Sequence, residues 1–561
     1  MSTENSSKKR KKGEACPYLD TIERSLLDFD FEPSCSVSLE SGPHVYACLV
    51  CGKFFRGRGK STPAYVHSVN EGHYVYVHLT KGSFHCLPDD YEIVDPSLSD
   101  ISSALHPTYS KSEVAKLDAN TGLARDLFGR RYLPGYVGLN NLHKTDFVNA
   151  AIQALSHVRP LRDFFLNLTH KDLFLQPTTK SSSKKNKKPK APHKISHLAL
   201  CFGELVRKIW SDKRFKSHVD PHNLIQAISN ESKKRFQVGT QAEAGEFMSW
   251  LLNQLHIGLG GSRKPGSSII YKTFQGKVEV TTQKHKVLDE KEKEEEKNGK
   301  DGAGDTTMDE IEEKTIESSF LQLTLDIPEK PLFRDDDGGL VIPQEPLINV
   351  LKKFDGLTFS DAVNQSGVTQ RKRYRLLELP PYLILHLGRF RKNNYSREKN
   401  PTIVAFPVRN LDLGAYTFPK NGKVTPPTAE AVKNMSVKEL KALLTKYGHE
   451  AIAKTALEKS ELLNAATDFV TTKLPDLLAD KYDLVANITH ESPADVGREG
   501  KHDPLQEGSY KCHVQHKASK QWYEMQDLHV QETMAQLIGV SESYVLVFER
   551  KSEQMKNNSS I

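Results

Sequence analysis

Apolar residues recur at three- and four-residue intervals over residues 146–158, 196–211 and 242–256, a period that predicts buried or amphipathic helices in the first half of the chain. The pattern then changes. YLILHLGRF, YDLVANITH, YKCHVQH and YVLVFER are short, apolar and rich in β-branched and aromatic residues, which predicts strands. Helices followed by strands imply an α+β body running from about residue 130 to about 550. Within it, residues 425–478 return to a helical period built from Ala, Leu, Lys and Glu, predicting two or three inserted amphipathic helices. No apolar run approaches the roughly 20 residues needed to cross a bilayer. The start, MSTENSSKKRKKGEAC, lacks the apolar stretch of a secretory signal, so a reduced, intracellular setting is expected and no membrane partner.

At 561 residues, 37% of them hydrophobic, the chain can bury several cores, and length alone suggests three or four domain-sized units. The net charge of +7 hides three biased blocks. Residues 1–12 carry five Lys or Arg against Glu4, a composition typical of nuclear localisation signals. Residues 180–194 carry seven lysines and no acid, whereas residues 289–313 hold twelve acids against four lysines. These blocks nearly cancel, which leaves a mildly basic body unlike a nucleic-acid clamp. The expected layout is a basic tail (1–14), a small unit (15–115), a large body (116–550) with insertions near 178–195, 284–315 and 418–478, and a polar tail (551–561).

Seven cysteines, five in the first hundred residues, do not make a disulfide framework. Cys48 and Cys51 form a CxxC pair, and His67 and His73 follow within 25 residues. Two thiolates and two imidazoles at this spacing can close a tetrahedral structural zinc site. Cys16, Cys35 and Cys86 flank the unit without a CxxC partner; they are expected to be mostly core residues, with a second metal site left open. The segments CPYLDTI, ACLVCGKFFRGRG, HSVNEGH and FHCLPDDYEIVD resemble the zinc finger of ubiquitin-specific proteases. That resemblance implies that Arg58 occupies the place where active members grip the carboxylate tail of ubiquitin. The aromatic positions near His85 and Leu87 depart from the pattern, so a structural or protein-docking role is expected of this finger.

Residues 138–155, GLNNLHKTDFVNAAIQAL, resemble the cysteine box of the same family. The resemblance places Asp146 where the nucleophilic Cys would stand and Lys144 where an Asn stabilises the oxyanion. GSY at 508–510 replaces the family's GHY, so Ser509 stands for the general base. In WYEMQDLHV the third triad position is Gln526, with Asp527 beside it. A carboxylate suits a helix N-terminus as well as a thiolate does, and can serve as its cap. It does not perform acyl transfer from an amide, and neither a hydroxyl nor an amide takes up a proton at neutral pH. QAEAGEFMSWLL, LPPYLILHLGRF and KNPTIVAFP resemble a family helix and two central strands. The implied fold is papain-like, with a helical thumb and a β-rich palm and fingers; the cysteines of the fingers zinc are missing, since none lies between Cys201 and Cys512.

The combination is similar to a non-catalytic, spliceosomal branch of the family. It implies a nuclear scaffold in pre-mRNA splicing that promotes U4/U6.U5 tri-snRNP assembly or stability through snRNP and spliceosomal proteins. Its basic segments would reach small nuclear RNA. The alternatives are a ubiquitin-binding module and a residual deubiquitinase using Asp146 and Asp527 as a carboxylate dyad.

Overall fold

Val45–Cys48 (β1) is buried along its whole length because it lies inside a sheet rather than at its edge. In the computed structural model it pairs with Phe54–Arg56 (β2) and with Val75–His78 (β3), and Phe84–Cys86 (β4) and Tyr91–Ile93 (β5) complete an antiparallel sheet in the order β2-β1-β3-β4-β5. Pro63–Glu71 (α1) connects β2 to β3. Pro63 sits in its first turn, where a missing N–H costs nothing, and Gly72, at φ 71°, ends it in the left-handed region. Val45, Ala47, Val75, Val77 and Ile101 close the small core, with Cys16 and Cys86 among them.

The structure describes residues 16–87, 89–168, 195–285, 311–328, 333–334, 340–363, 369–392, 397–416, 432–446, 459–473, 481–492 and 503–551. The tails, the basic block 180–194 and most of the acidic block 289–313 lie outside them. The chain forms two compact units, one of residues 1–270, 392–398 and 486–534, the other of residues 271–391, 399–485 and 535–561.

The first unit holds the finger and a helical layer. Asp146–Ser156 (α2) is buried at every residue, which its small Ala150, Ala151 and Ala154 allow by letting neighbours approach closely. Ala244–Gly258 (α5) packs against it, and His197–Trp210 (α3) packs on α5 and on His222–Glu231 (α4); α2, α3 and α5 fall within two residues of the stretches the periodicity predicts. An antiparallel meander of Ser509–Gln515, Trp522–Gln526 and His529–Thr533 packs on α2, and the end of strand Lys481–Glu491 pairs with it through His490 opposite Tyr510.

The second unit contains a four-stranded antiparallel sheet, ordered Asp355–Val363, Thr369–Glu378, Gly276–His285, Ile311–Phe320. It also contains the buried strand Tyr382–Gly388, parallel to Leu323–Asp326 and antiparallel to Ser543–Arg550. The helical insertion is present as Val437–Lys446 and Lys459–Asp468, with its own small core of Val432, Leu440, Leu462, Ala466 and Phe469. KNPTIVAFP is not a central strand. It contributes only Ile403–Ala405, paired with Gln344–Pro346, because Pro401 and Pro407 bracket it and cannot donate to a ladder.

Candidate functional site

Two chemically distinct clusters lie in the first unit. In the finger, Cys48 ends β1 and Cys51 follows in the tight turn to β2; His67 projects from α1, and the left-handed Gly72 brings His73 back beside them. Cys48 Sγ lies 3.6 Å from His73 Nδ1, Cys51 Sγ 3.4 Å from His67 Nε2, and all four donor atoms fall within 4.8 Å of one another. Phe55 stacks on the His67 ring at 4.2 Å and fixes its plane. The hydrogen bond from Cys48 holds the Cys51 thiol below the usual cysteine range, while the same contact and burial push Cys48 up. Two sulfurs and two imidazoles at this separation fit zinc.

The flanking cysteines behave differently. Cys16 and Cys86 sit in the apolar core, where Tyr91 Oη donates to Cys16 Sγ at 3.2 Å, and Cys35 is buried apart from them, accepting from the Ser38 N–H. Arg58 bonds Asp90 at 3.0 Å and His85 at 2.8 Å. A carboxylate arriving at Arg58 therefore has to compete with Asp90.

The second cluster gathers at the N-terminus of α2. Thr145, not Asp146, is the residue before the helix, so Asp146 is its first residue and not its cap. The Asp146 carboxylate is turned toward the meander instead: Oδ2 accepts from the Tyr510 backbone N–H at 2.7 Å and from Gln241 Nε2 at 3.1 Å. Oδ1 is buried without a partner.

Ser509 and Gln526 face each other, Gln526 Nε2 donating to Ser509 Oγ at 3.2 Å. Lys144 Nζ reaches Gln506 Oε1 at 3.3 Å, on a backbone that is left-handed at both His143 and Lys144. Asp527 receives Asn149 Nδ2 at 2.8 Å on one oxygen and Asn141 Nδ2 at 2.9 Å on the other. Its own backbone carbonyl accepts from Leu139 N–H, and a Cβ on Gly138 would come within 2.7 Å of the Leu528 backbone, which is why a glycine opens this box. Asp146 and Asp527 are each held by separate donors, and no hydrogen bond joins them among the described residues. A proton-sharing dyad needs the two carboxyls in contact.

Residues 137–548 match the family described as ubiquitin carboxyl-terminal hydrolase, and residues 35–98 match the Zn-finger in ubiquitin-hydrolases and other protein. The chain belongs to the ubiquitin carboxyl-terminal hydrolase family. Among its relatives, Homo sapiens ubiquitin carboxyl-terminal hydrolase 39 is 40% identical over 97% of this chain and 81% of its own length. The probable mRNA-splicing protein ubp10 of Schizosaccharomyces pombe is 34% identical over 95% of this chain and 88% of its own. A crystal structure described as that of an essential yeast splicing factor covers 95% of this chain and 100% of its own, with a TM-score of 0.62 and 22% identity, and so shares the fold. The N-terminal domain of this hydrolase-family chain is a zinc-binding finger.

Gln241 is the site residue that sequence reasoning leaves out. It opens the QAEAGEF helix motif, yet its place beside Asp146, 95 positions earlier, comes only from the packing of the loop before α5. Gln506, the partner of Lys144, gives no signal either.

Burial pushes the Asp146 carboxyl above the usual carboxylate range, against the lowering effect of its two donors. The unfolded chain then releases this proton at lower pH than the folded one. Stability is therefore lost as pH rises through that window. Asp146→Asn keeps an acceptor for the Tyr510 N–H and removes the charge. It is expected to raise the melting temperature at pH 7, and the gain should vanish below pH ~4, where Asp146 is neutral in both states. Equal gains at both pH values in thermal melts would contradict this.

Proposed function

We propose that this protein is a non-catalytic scaffold in nuclear pre-mRNA splicing, associated with the U4/U6.U5 tri-snRNP through protein–protein contacts. The names carried by its relatives support the splicing role. The observation that carries the non-catalytic half is Asp146 at the N-terminus of α2, its carboxylate engaged by the Tyr510 N–H and Gln241. Asp146, Ser509 and Gln526 are read as the degenerate triad, and Lys144 as the former oxyanion position. None of these side chains combines nucleophile and base at neutral pH. Cys48, Cys51, His67 and His73 are read as the zinc ligands, which makes the finger a structural part of the scaffold. The basic segments at 1–12 and 180–194 offer contacts to small nuclear RNA phosphate.

Purified full-length protein is expected to release no fluorophore from a ubiquitin C-terminal fluorogenic substrate. Asp146→Cys alone is expected to remain inactive, because position 509 offers no base. Affinity purification from nuclear extract should bring down U4, U5 and U6 RNA together with snRNP proteins. Turnover abolished by Asp146→Ala would overturn the non-catalytic reading, and recovery without any small nuclear RNA would overturn the splicing one.

A further inference from the structure

Within the first unit, an open groove of about 640 Å³ separates the finger from the helical layer, a size that accommodates a bound segment. Its floor is apolar, built from Phe29, Phe54, Leu79, Leu105, Leu166 and Leu200, and Phe31 stands at its mouth with 44% of its surface exposed. Along one rim α4 presents Asn223, Gln226 and Asn230, three and four residues apart and hence on one face. Asn223 Oδ1 is buried and has no hydrogen-bond partner.

The charged groups at the groove differ in how they are paired. Glu32 and Glu204 both line it, close enough to Cys201 to act on its thiol. No cation pairs with Glu32 among the described residues. Glu204 faces Lys208 at 3.6 Å, an ammonium it shares with Asp30 at 2.9 Å, and it also interacts with the guanidinium of Arg207. Arg207, also in the lining, is buried and donates to the Leu168 carbonyl. An apolar floor beside the unpaired Glu32 carboxylate favours apolar side chains interrupted by a base. The row of amides favours an extended backbone, whose N–H and C=O groups are free, over a helix, whose groups are already paired.

We propose that this groove docks an extended peptide segment of a partner protein, its apolar side chains on the floor and a Lys or Arg against Glu32. The inference goes beyond the splicing reading and does not depend on it. A reactive-thiol role for Cys201 is disfavoured: burial, with Glu204 and Glu32, pushes its thiol up to about 12, although His197 lies 3.6 Å away.

The test uses full-length protein and fluorescein-labelled short peptides with Leu or Phe at alternate positions and Lys, Gln or Glu between them, read by fluorescence anisotropy. Lys-containing peptides should bind about tenfold more tightly than Glu-containing ones. Glu32→Lys should reverse that preference, and Gln226→Arg, on the exposed rim, should weaken the Lys peptides without altering the melting temperature. Absence of saturable binding by any peptide would overturn the proposal, as would affinities unmoved by both variants. Tightest binding by a synthetic copy of residues 169–180 would also overturn it, since the occupant would then be this chain's own segment.

Discussion

Cys51→Ser is expected to cost the protein one zinc per chain and the fold of its finger. The five strands β1–β5 are three or four residues long, too short to hold a sheet by their own ladders. Their cores are small, and the elements that carry the four donors (the end of β1, the turn after it, the middle of α1 and the residue beyond Gly72) converge at the donor cluster, beside a few apolar residues such as Phe55, Ala64 and Tyr76. Binding free energies of about 10–16 kcal/mol for structural zinc in isolated fingers show how much of such a fold the metal can supply. Ser keeps the shape of Cys51 and removes the thiolate. Zinc content by atomic spectroscopy should therefore fall by one atom per chain, and amide protection across β1–β5 should collapse while α2 stays protected. Chelation of the parent protein should reproduce both effects. Undiminished protection in zinc-free protein would show that the apolar core suffices alone.

The four zinc donors are close in sequence, and that is why they could be read from spacing. A CxxC turn and two histidines on either side of a helix C-terminus are local features; only one glycine conformation, at Gly72, is needed to bring them together. The major helices and the four apolar strands were legible for a similar reason, because their period records which face is buried. KNPTIVAFP was misread because its apolar residues suggest burial, while its two prolines, which decide pairing, were given too little weight. Asp146 was placed correctly at the start of α2, but its partner was not legible. The Tyr510 N–H lies 364 residues away and belongs to a strand whose register no local pattern specifies. The groove was also invisible in the sequence. Its lining comes from segments between residues 29 and 230, and a cavity is defined by what does not fill it.

The same limitation hides a buried ion pair of the first unit. Lys208, on α3, reads as one of two basic residues at a helix C-terminus, which would ordinarily be solvated. Instead its ammonium is buried and donates to the Phe29 carbonyl at 2.8 Å and to Asp30 at 2.9 Å. Asp30 in turn accepts from the Asp220 N–H at 3.1 Å, and the neighbouring Asp28 pairs with Lys216. Segment 28–30, which leads into the finger, is thus tied to the helical layer by its carboxylates. Burial acts against both charges, but their mutual attraction outweighs it: Asp30 is held below the usual carboxylate range and Lys208 above the usual lysine range. Lys208→Met fills a similar volume and leaves Asp30 buried without its cation. A loss of about 3–5 kcal/mol is expected, as for other buried pairs broken on one side. Asp30→Asn should cost less, because its amide oxygen can still accept from the Lys208 ammonium or the Asp220 N–H. The double variant should cost clearly less than the sum, and denaturant titrations of all four proteins yield the coupling directly. The pH dependence follows from Asp30. Its contribution is present above the unfolded carboxylate range and is lost as pH falls through the lower folded value, so the gap between parent and Lys208→Met should close below pH ~4. A Lys208→Met protein as stable as the parent at pH 7 would mean that water reaches Asp30 and that the contact is an ordinary surface pair worth about 0–1 kcal/mol.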